Sequence, residues 1–169
     1  MTEDYIKTMV IKILGPDFEL IREVNGRNLV DGKKVRIDFL ASPKNHLISN
    51  GFDNQVFGIE AKSIEFKHIK KINKLIWQTI SYAQAEFEFQ NSTVRPMFVL
   101  VCVLKEPKFG NPGFKEWKTL SRFAQYGNVG VIELEPFWRI RFGDCSYYNQ
   151  RRGRSAIANL GTKRNVGYL

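Results

Sequence analysis

Apolar and polar residues follow one another in blocks that predict alternating helices and strands. Residues 3–14 place apolar side chains at helical spacing, with Thr2 as the expected N-cap. This order of elements favours an α/β fold in which a central mixed sheet is flanked by helices. The other expected elements are helices over residues 66–89 and 114–126, strands over residues 18–24, 33–41, 55–64, 96–104, 129–134 and 137–142, and a turn at Asn25-Gly26.

The chain of 169 residues is long enough for one domain with its own hydrophobic core. No internal repeat and no domain boundary is evident within residues 1–142. From Gly143 onward the composition shifts to Gly, Asn, Tyr and Arg without a clear period. We therefore assign residues 1–142 to one domain and residues 143–169 to a basic C-terminal extension of the same domain.

Two neighbouring strands carry charged residues among apolar ones. Side chains alternate between faces along a strand, so Glu60 and Lys62 share one face. On the preceding strand, Asp38 is expected on the face opposite Ile37 and Phe39. If the charged faces align, two carboxylates and an amine meet, which is a suitable arrangement for a divalent metal beside a lysine. A solvated cross-strand charge pair is the alternative explanation.

These two segments resemble the signature of the PD-(D/E)XK nuclease superfamily. That family has a core of a helix, a three-stranded meander, a helix and a further strand. Ile37-Asp38 stands where the family has Pro-Asp, and Glu60-Ala61-Lys62 stands where it has (Asp/Glu)-x-Lys. The resemblance covers roughly residues 3–104. It implies a restriction-endonuclease-like core of the αβββαβ type.

A second motif lies in the helix that follows the lysine. Gln78 and Tyr82 are four residues apart and therefore share a helix face. Many RecB-like members of the superfamily have Gln-x-x-x-Tyr there, which implies that the pair faces the active site. Many members also have a Glu near the start of the first helix. Glu3 stands at that place, while Glu19 and Glu23 on the first strand are competing candidates.

The resemblance implies a metal-dependent nuclease that hydrolyses DNA with Mg²⁺, for which Mn²⁺ is an expected substitute. Asp38, Glu60 and the backbone carbonyl of Ala61 would hold the metal. Lys62 would orient or deprotonate the attacking water or stabilise developing charge, with nearby cations lowering its pKa. A junction resolvase and a catalytically silent nucleic-acid-binding module on the same fold are the alternatives. The implied catalytic residues are Asp38, Glu60, Lys62, Gln78, Tyr82 and Glu3.

The net charge of +9 suits a polyanionic partner such as DNA. Tyr147 and Tyr148 lie among the C-terminal arginines, and arginine with aromatic residues suits single-stranded nucleic acid. A solvated basic surface is the alternative explanation for this charge. The expected nucleic-acid-binding residues are Lys67, Lys70, Lys71, Lys74, Arg151, Arg152 and Arg154.

The compartment is expected to be the cytoplasm. No apolar run approaches the roughly 20 residues that span a bilayer, and the acidic start of the chain does not resemble a signal peptide. Cys102 lies in an apolar run and is expected to be a buried, reduced thiol. Because exonuclease rings and dimeric resolvases share the implied core, a homo-oligomer is one of the open expectations.

Overall fold

The computed structural model of the protein describes residues 2–63, 68–103 and 106–154. It confirms the expected α/β class, because a large mixed sheet is flanked by helices. The helices are α1 (Glu3–Leu14), α2 (Asn45–Ser49), α3 (Ile69–Ala83) and α4 (Phe114–Ala124), and a 3₁₀ turn follows at Gln125–Gly127. The strands are β1 (Phe18–Asn28), β2 (Lys34–Pro43), β3 (Phe57–Ala61), β4 (Ala85–Phe89), β5 (Ser92–Val94), β6 (Val99–Cys102), β7 (Val129–Glu133), β8 (Arg139–Phe142), β9 (Cys145–Asn149) and β10 (Gly153–Arg154).

The strands of the described residues form one sheet in the order β10-β9-β8-β7-β6-β3-β2-β1-β4-β5. The pairs β3–β6 and β6–β7 are parallel, and the other pairs are antiparallel. The parallel strands therefore lie in the interior of the sheet, where helices cover both faces. None of the helices described is long and apolar enough to cross a membrane.

Strand β6 shows how the two faces of the sheet are divided. Val99 and Val101 pack on the face that α3 and α4 cover, whereas Leu100 and Cys102 pack on the face that α1 covers. All four residues are buried, as the continuous apolar run predicted. Cys102 is also a free thiol, as expected. Helix α1 contributes Ile6, Val10 and Leu14 to its side of the core, and Thr2 accepts a hydrogen bond from the Tyr5 amide as its N-cap.

The expected helix over residues 66–89 was too long. Helix α3 ends at Ala83, and the chain continues into the hairpin of β4 and β5. Ala85 and Phe87 are buried while Glu86 and Glu88 are exposed, so this segment alternates with period 2. That alternation was the signal for a strand. It outweighs helix propensity because the apolar side packs on the core.

The expected turn at Asn25-Gly26 was also wrong, because β1 continues through it. A Cβ atom on Gly26 would lie only 2.5 Å from the ring of Phe87. Glycine therefore permits the close approach of β4, rather than a reversal of the chain. The reversal comes later, and the Asn28 amide closes it by donating to the Lys33 carbonyl.

The described part of the C-terminal extension belongs to the sheet as β9 and β10. Tyr147 and Tyr148 are buried at 0% and 2% exposure. The expectation that these two tyrosines stack on nucleic-acid bases was therefore wrong. The remainder of the extension, residues 155–169, lies outside the described residues, as does Lys67.

Candidate active site

One cavity collects the six residues that the sequence singled out as catalytic. Strands β2 and β3 contribute the two central carboxylates, and the lysine follows directly after β3. Helices α1 and α3 approach the cavity from its sides. The cavity has a volume of about 470 Å³. Its lining includes Glu3, Asp38, Glu60, Lys62, Gln78 and Tyr82.

Asp38 is held in place from both sides. Its Oδ2 accepts a hydrogen bond of 2.9 Å from the backbone amide of Ala61. Its Oδ1 lies 2.5 Å from the Nζ of Lys7. The first contact ties the carboxylate to the next strand, and the second balances its charge within a largely buried position.

Glu60 is buried, but only one of its two carboxylate oxygens has a hydrogen-bond partner among the described residues. Its Oε1 accepts a hydrogen bond of 3.0 Å from Gln78 and lies 3.2 Å from the Nζ of Lys62. Its Oε2 is buried and has no hydrogen-bond partner among the described residues. Burial, followed by the charge of Asp38, raises the pKa of Glu60 to about 7. The site therefore contains a buried oxygen that a cation could satisfy.

Lys62 lies between two carboxylates. Its Nζ is 3.2 Å from Glu60 and 3.1 Å from Glu3. Burial by itself lowers the pKa of Lys62, but the two carboxylates outweigh burial and the pKa is raised. The expected lowering of this pKa by nearby cations assumes a bound metal, so it stays a prediction. A charged ammonium suits positioning and charge stabilisation better than proton abstraction.

Glu3 is the additional carboxylate that faces the site directly. It pairs with Lys62, whereas Glu23 does not line the cavity and contacts it through Lys7, at 2.8 Å, and through Arg36, at 3.1 Å. Glu19 is exposed on β1 and lines no part of the cavity. The geometry therefore favours Glu3 among the three alternatives.

Lys7 was missed by the sequence analysis. It lies one helical turn after Glu3 and pairs with both Asp38 and Glu23. Burial lowers the pKa of Lys7, but the hydrogen bonds that its ammonium donates to these two carboxylates raise the pKa more, so the ammonium stays charged. The i, i+4 spacing from Glu3 was the available signal, because it puts both side chains on one helix face.

The backbone beside Asp38 is irregular. The β1–β2 ladder is continuous on both sides of Glu23 and Asp38 but does not pair these two residues. Glu23 has a φ of 51°, an unfavourable conformation for a residue with a side chain. Ile37 and Phe39 pack on opposite faces of the sheet, so their expected common face was wrong. Such local strain is concentrated at functional sites.

Gln78 and Tyr82 support Glu60 from α3. The Gln78 amide donates to Glu60 and also lies 2.5 Å from the hydroxyl oxygen of Tyr82. The ring of Tyr82 is buried against Phe87. Burial raises the pKa of Tyr82, so its hydroxyl stays protonated at neutral pH. Gln78, held by Tyr82, therefore fixes the orientation of the Glu60 carboxylate.

The residues present are compatible with Mg²⁺ but do not form a dense acidic cluster. Among the described residues, no group of three or more His, Cys, Asp and Glu side chains is placed to hold a metal ion. Mg²⁺ commonly binds through one or two carboxylates and keeps several waters. Asp38 and the unpartnered Oε2 of Glu60 meet that requirement. The Ala61 carbonyl stays a predicted ligand.

The expected basic residues of α3 lie beside this cavity. Lys70, Lys71 and Lys74 are exposed on the helix. Lys71 and Lys74 line a second cavity together with Lys62. Two of the expected nucleic-acid-binding lysines therefore lie next to the candidate catalytic lysine.

The expected C-terminal arginines lie elsewhere. The guanidinium of Arg151 lies 3.3 Å above the ring of Phe137. Arg154 pairs with Asp53 at 3.1 Å. Arg152 and Arg154 line a third cavity, and none of the three arginines lines the cavity around Asp38.

Comparisons of the chain with protein-family models, with curated proteins and with solved structures give no match. The fold and the site define an α/β protein in which the carboxylates of Glu3, Asp38 and Glu60 line one cavity together with Lys62. Any more specific assignment depends on the motifs and on the chemistry of these side chains.

Proposed function

We propose that the protein is a Mg²⁺-dependent nuclease of the PD-(D/E)XK type that hydrolyses phosphodiester bonds in DNA, with Mn²⁺ as a substitute metal. The main support is the meeting of Asp38, Glu60 and Lys62 in one cavity, with one oxygen of Glu60 unpartnered. The net charge of +9 favours a polyanionic substrate. Gln-x-x-x-Tyr supports the RecB-like type.

Asp38, Glu60 and the Ala61 carbonyl would hold the metal. When bound, a metal of this kind polarises the phosphate and lowers the pKa of a bound water. The Asp38 carboxylate already has a fixed orientation through the Ala61 amide. Such fixed ligands reduce the reorganisation that metal and substrate binding require.

The other side chains position the attacking water and the metal-binding carboxylate, or stabilise negative charge. The Lys62 ammonium orients the attacking water and stabilises negative charge on the phosphate oxygens. Glu3 holds this ammonium in place. Gln78 holds Glu60, and Tyr82 supports Gln78. These roles account for each of the six residues of the cavity that the sequence singled out as catalytic.

The test is cleavage of circular single-stranded, circular duplex, linear duplex and four-way-junction DNA with Mg²⁺ or Mn²⁺. Lys62→Ala and Asp38→Asn should each lower the rate by at least about 100-fold, the scale of losing one charge-stabilising group. Lys12→Ala is the matched control, because Lys12 is an exposed lysine of α1 away from the cavity. Circular dichroism checks that all three variants fold.

The substrate pattern separates the alternatives. Cleavage of linear DNA alone indicates an exonuclease, cleavage of closed circles an endonuclease, and preference for the junction a resolvase. Tight binding without metal-dependent cleavage of any substrate would contradict the proposal and support a binding module.

A further inference from the structure

A second, larger cavity adjoins the candidate active site along α3. Its volume is about 760 Å³. It shares Lys62 and Gln78 with the first cavity, so the two lie side by side. We call it the α3 groove. Its lining residues are Lys62, Ser63, Lys71, Lys74, Leu75, Trp77 and Gln78.

Trp77 is the aromatic side chain of the α3 groove, and it is 66% exposed. Its neighbours in sequence, Ile76 and Gln78, are respectively buried in the core and engaged with Glu60. Trp117 and Trp138 are fully buried. An indole left in water forgoes the free energy of burial, and it offers a flat face for stacking.

The charge of the groove is positive. Helix α3 contains no Asp or Glu. Among the described residues, neither Lys71 nor Lys74 forms a salt bridge with a carboxylate, and both are exposed. The two ammonium groups are therefore available to an anion.

The spacing along α3 leads toward the candidate active site. Lys71, Lys74 and Gln78 are three and four residues apart and lie along one side of the helix. Seven residues of helix rise by about 10 Å, so these side chains mark a path of that length along α3. A strand along this side would reach Lys62 and Glu60.

We propose that the α3 groove binds an unpaired nucleic-acid strand, with one base stacked on Trp77 and the phosphates paired with Lys71 and Lys74. An exposed aromatic ring beside lysines is the arrangement that binds single strands without reading their sequence. In a duplex, neighbouring base pairs cover the base faces, so Trp77 would have nothing to stack on. The proposal rests on the nuclease function, since it places the strand beside the scissile phosphate, and it predicts a preference for substrates with single-stranded ends.

Binding is measured without metal, so that cleavage does not interfere. A fluorescein-labelled single-stranded 12-mer is titrated in EDTA and followed by anisotropy, while an unlabelled 12-mer is followed by quenching of tryptophan fluorescence. Because the other two tryptophans are buried, quenching reports Trp77. Trp77→Ala should weaken binding by about tenfold or more, and Trp77→Phe should restore part of it. Tyr126→Ala, at another exposed aromatic residue, is the control.

The lysines are tested through the salt dependence of binding. The double change Lys71→Gln and Lys74→Gln should reduce the slope of log K against log salt by about 1.4, or about 0.7 for each lost phosphate contact. Lys12→Gln is the matched control, since Lys12 is an exposed lysine of α1 that does not line the groove. It should leave the slope nearly unchanged.

The outcomes separate this proposal from the nuclease proposal. Unchanged single-strand affinity in Trp77→Ala overturns the proposal that the α3 groove binds an unpaired strand, even if the wild type cleaves DNA. Absence of single-strand binding by the wild type overturns it as well. Binding that depends on Trp77 without any cleavage would support the groove and contradict the nuclease.

Discussion

Two cavities of similar volume each contain a buried charged side chain, and the two side chains differ in how completely they are hydrogen-bonded. The cavity near Arg141 measures about 510 Å³ and the cavity near Glu60 about 470 Å³. The Arg141 guanidinium donates to Glu133, to Glu106 and to the carbonyl oxygen of Gly143. All three of its nitrogens have an acceptor. Glu60 has one oxygen held by Gln78 and Lys62 and one oxygen with no described partner.

This difference distinguishes buried charged residues that stabilise the fold from buried charged residues that are available for chemistry. Buried polar groups are nearly always hydrogen-bonded, so a fully paired arginine between two glutamates is explained by folding alone. An unpartnered carboxylate oxygen with a raised pKa, in a cavity lined by a lysine, is not. Both regions have charged residues in short strands, so charge alone did not distinguish them.

The largest expected effect on stability lies at the paired cluster. Arg141→Met should reduce the free energy of unfolding by about 3–5 kcal/mol, because Glu106 and Glu133 would lose their buried cation. Arg139→Met is the matched control, since Arg139 pairs with the same Glu133 from an exposed position. Its cost should be about 1 kcal/mol or less. Urea unfolding measures both, and equal losses would contradict the distinction.

An intermediate effect on the free energy of unfolding is expected when a metal binds in the cavity around Glu60. At a metal concentration one hundred times Kd, Mn²⁺ should raise the free energy of unfolding by about 2.7 kcal/mol. The gain should disappear in Asp38→Asn and persist in Lys62→Ala, which retains both carboxylates. Urea unfolding with and without Mn²⁺ measures it. A full gain in Asp38→Asn would exclude Asp38 as a ligand.

The smallest effect concerns Lys7, whose ammonium lies 2.5 Å from Asp38 Oδ1. Removing this positive charge should tighten metal binding, so Lys7→Met should lower the Kd for Mn²⁺ by about tenfold. Lys12→Met, on the exposed side of α1, should leave Kd unchanged. Isothermal titration calorimetry measures both values. A weaker affinity in Lys7→Met would mean that Lys7 organises the carboxylate instead of competing with the metal.

Local patterns predicted much of the fold and most of the cavity. Helical periodicity identified α1, α3 and α4, and the continuous apolar run identified β6 as a central strand. The two-residue spacing of Glu60 and Lys62 predicted that their side chains lie on the same face, because side-chain alternation is a local property of a strand. The four-residue spacing of Gln78 and Tyr82 is equally local, and the structure places the two side chains in contact.

Tertiary structure decided the remaining features, because they depend on residues distant in sequence. Gly26 resembles a turn residue until β4 packs against it. Lys7 becomes part of the site only when α1 is laid beside β2, and Glu23 adopts its unusual backbone at the same junction. The exposure of Trp77 likewise follows from which side of α3 faces the sheet. Periodicity along the chain determines which side chains share a face, but only the packing of the elements determines what each face meets.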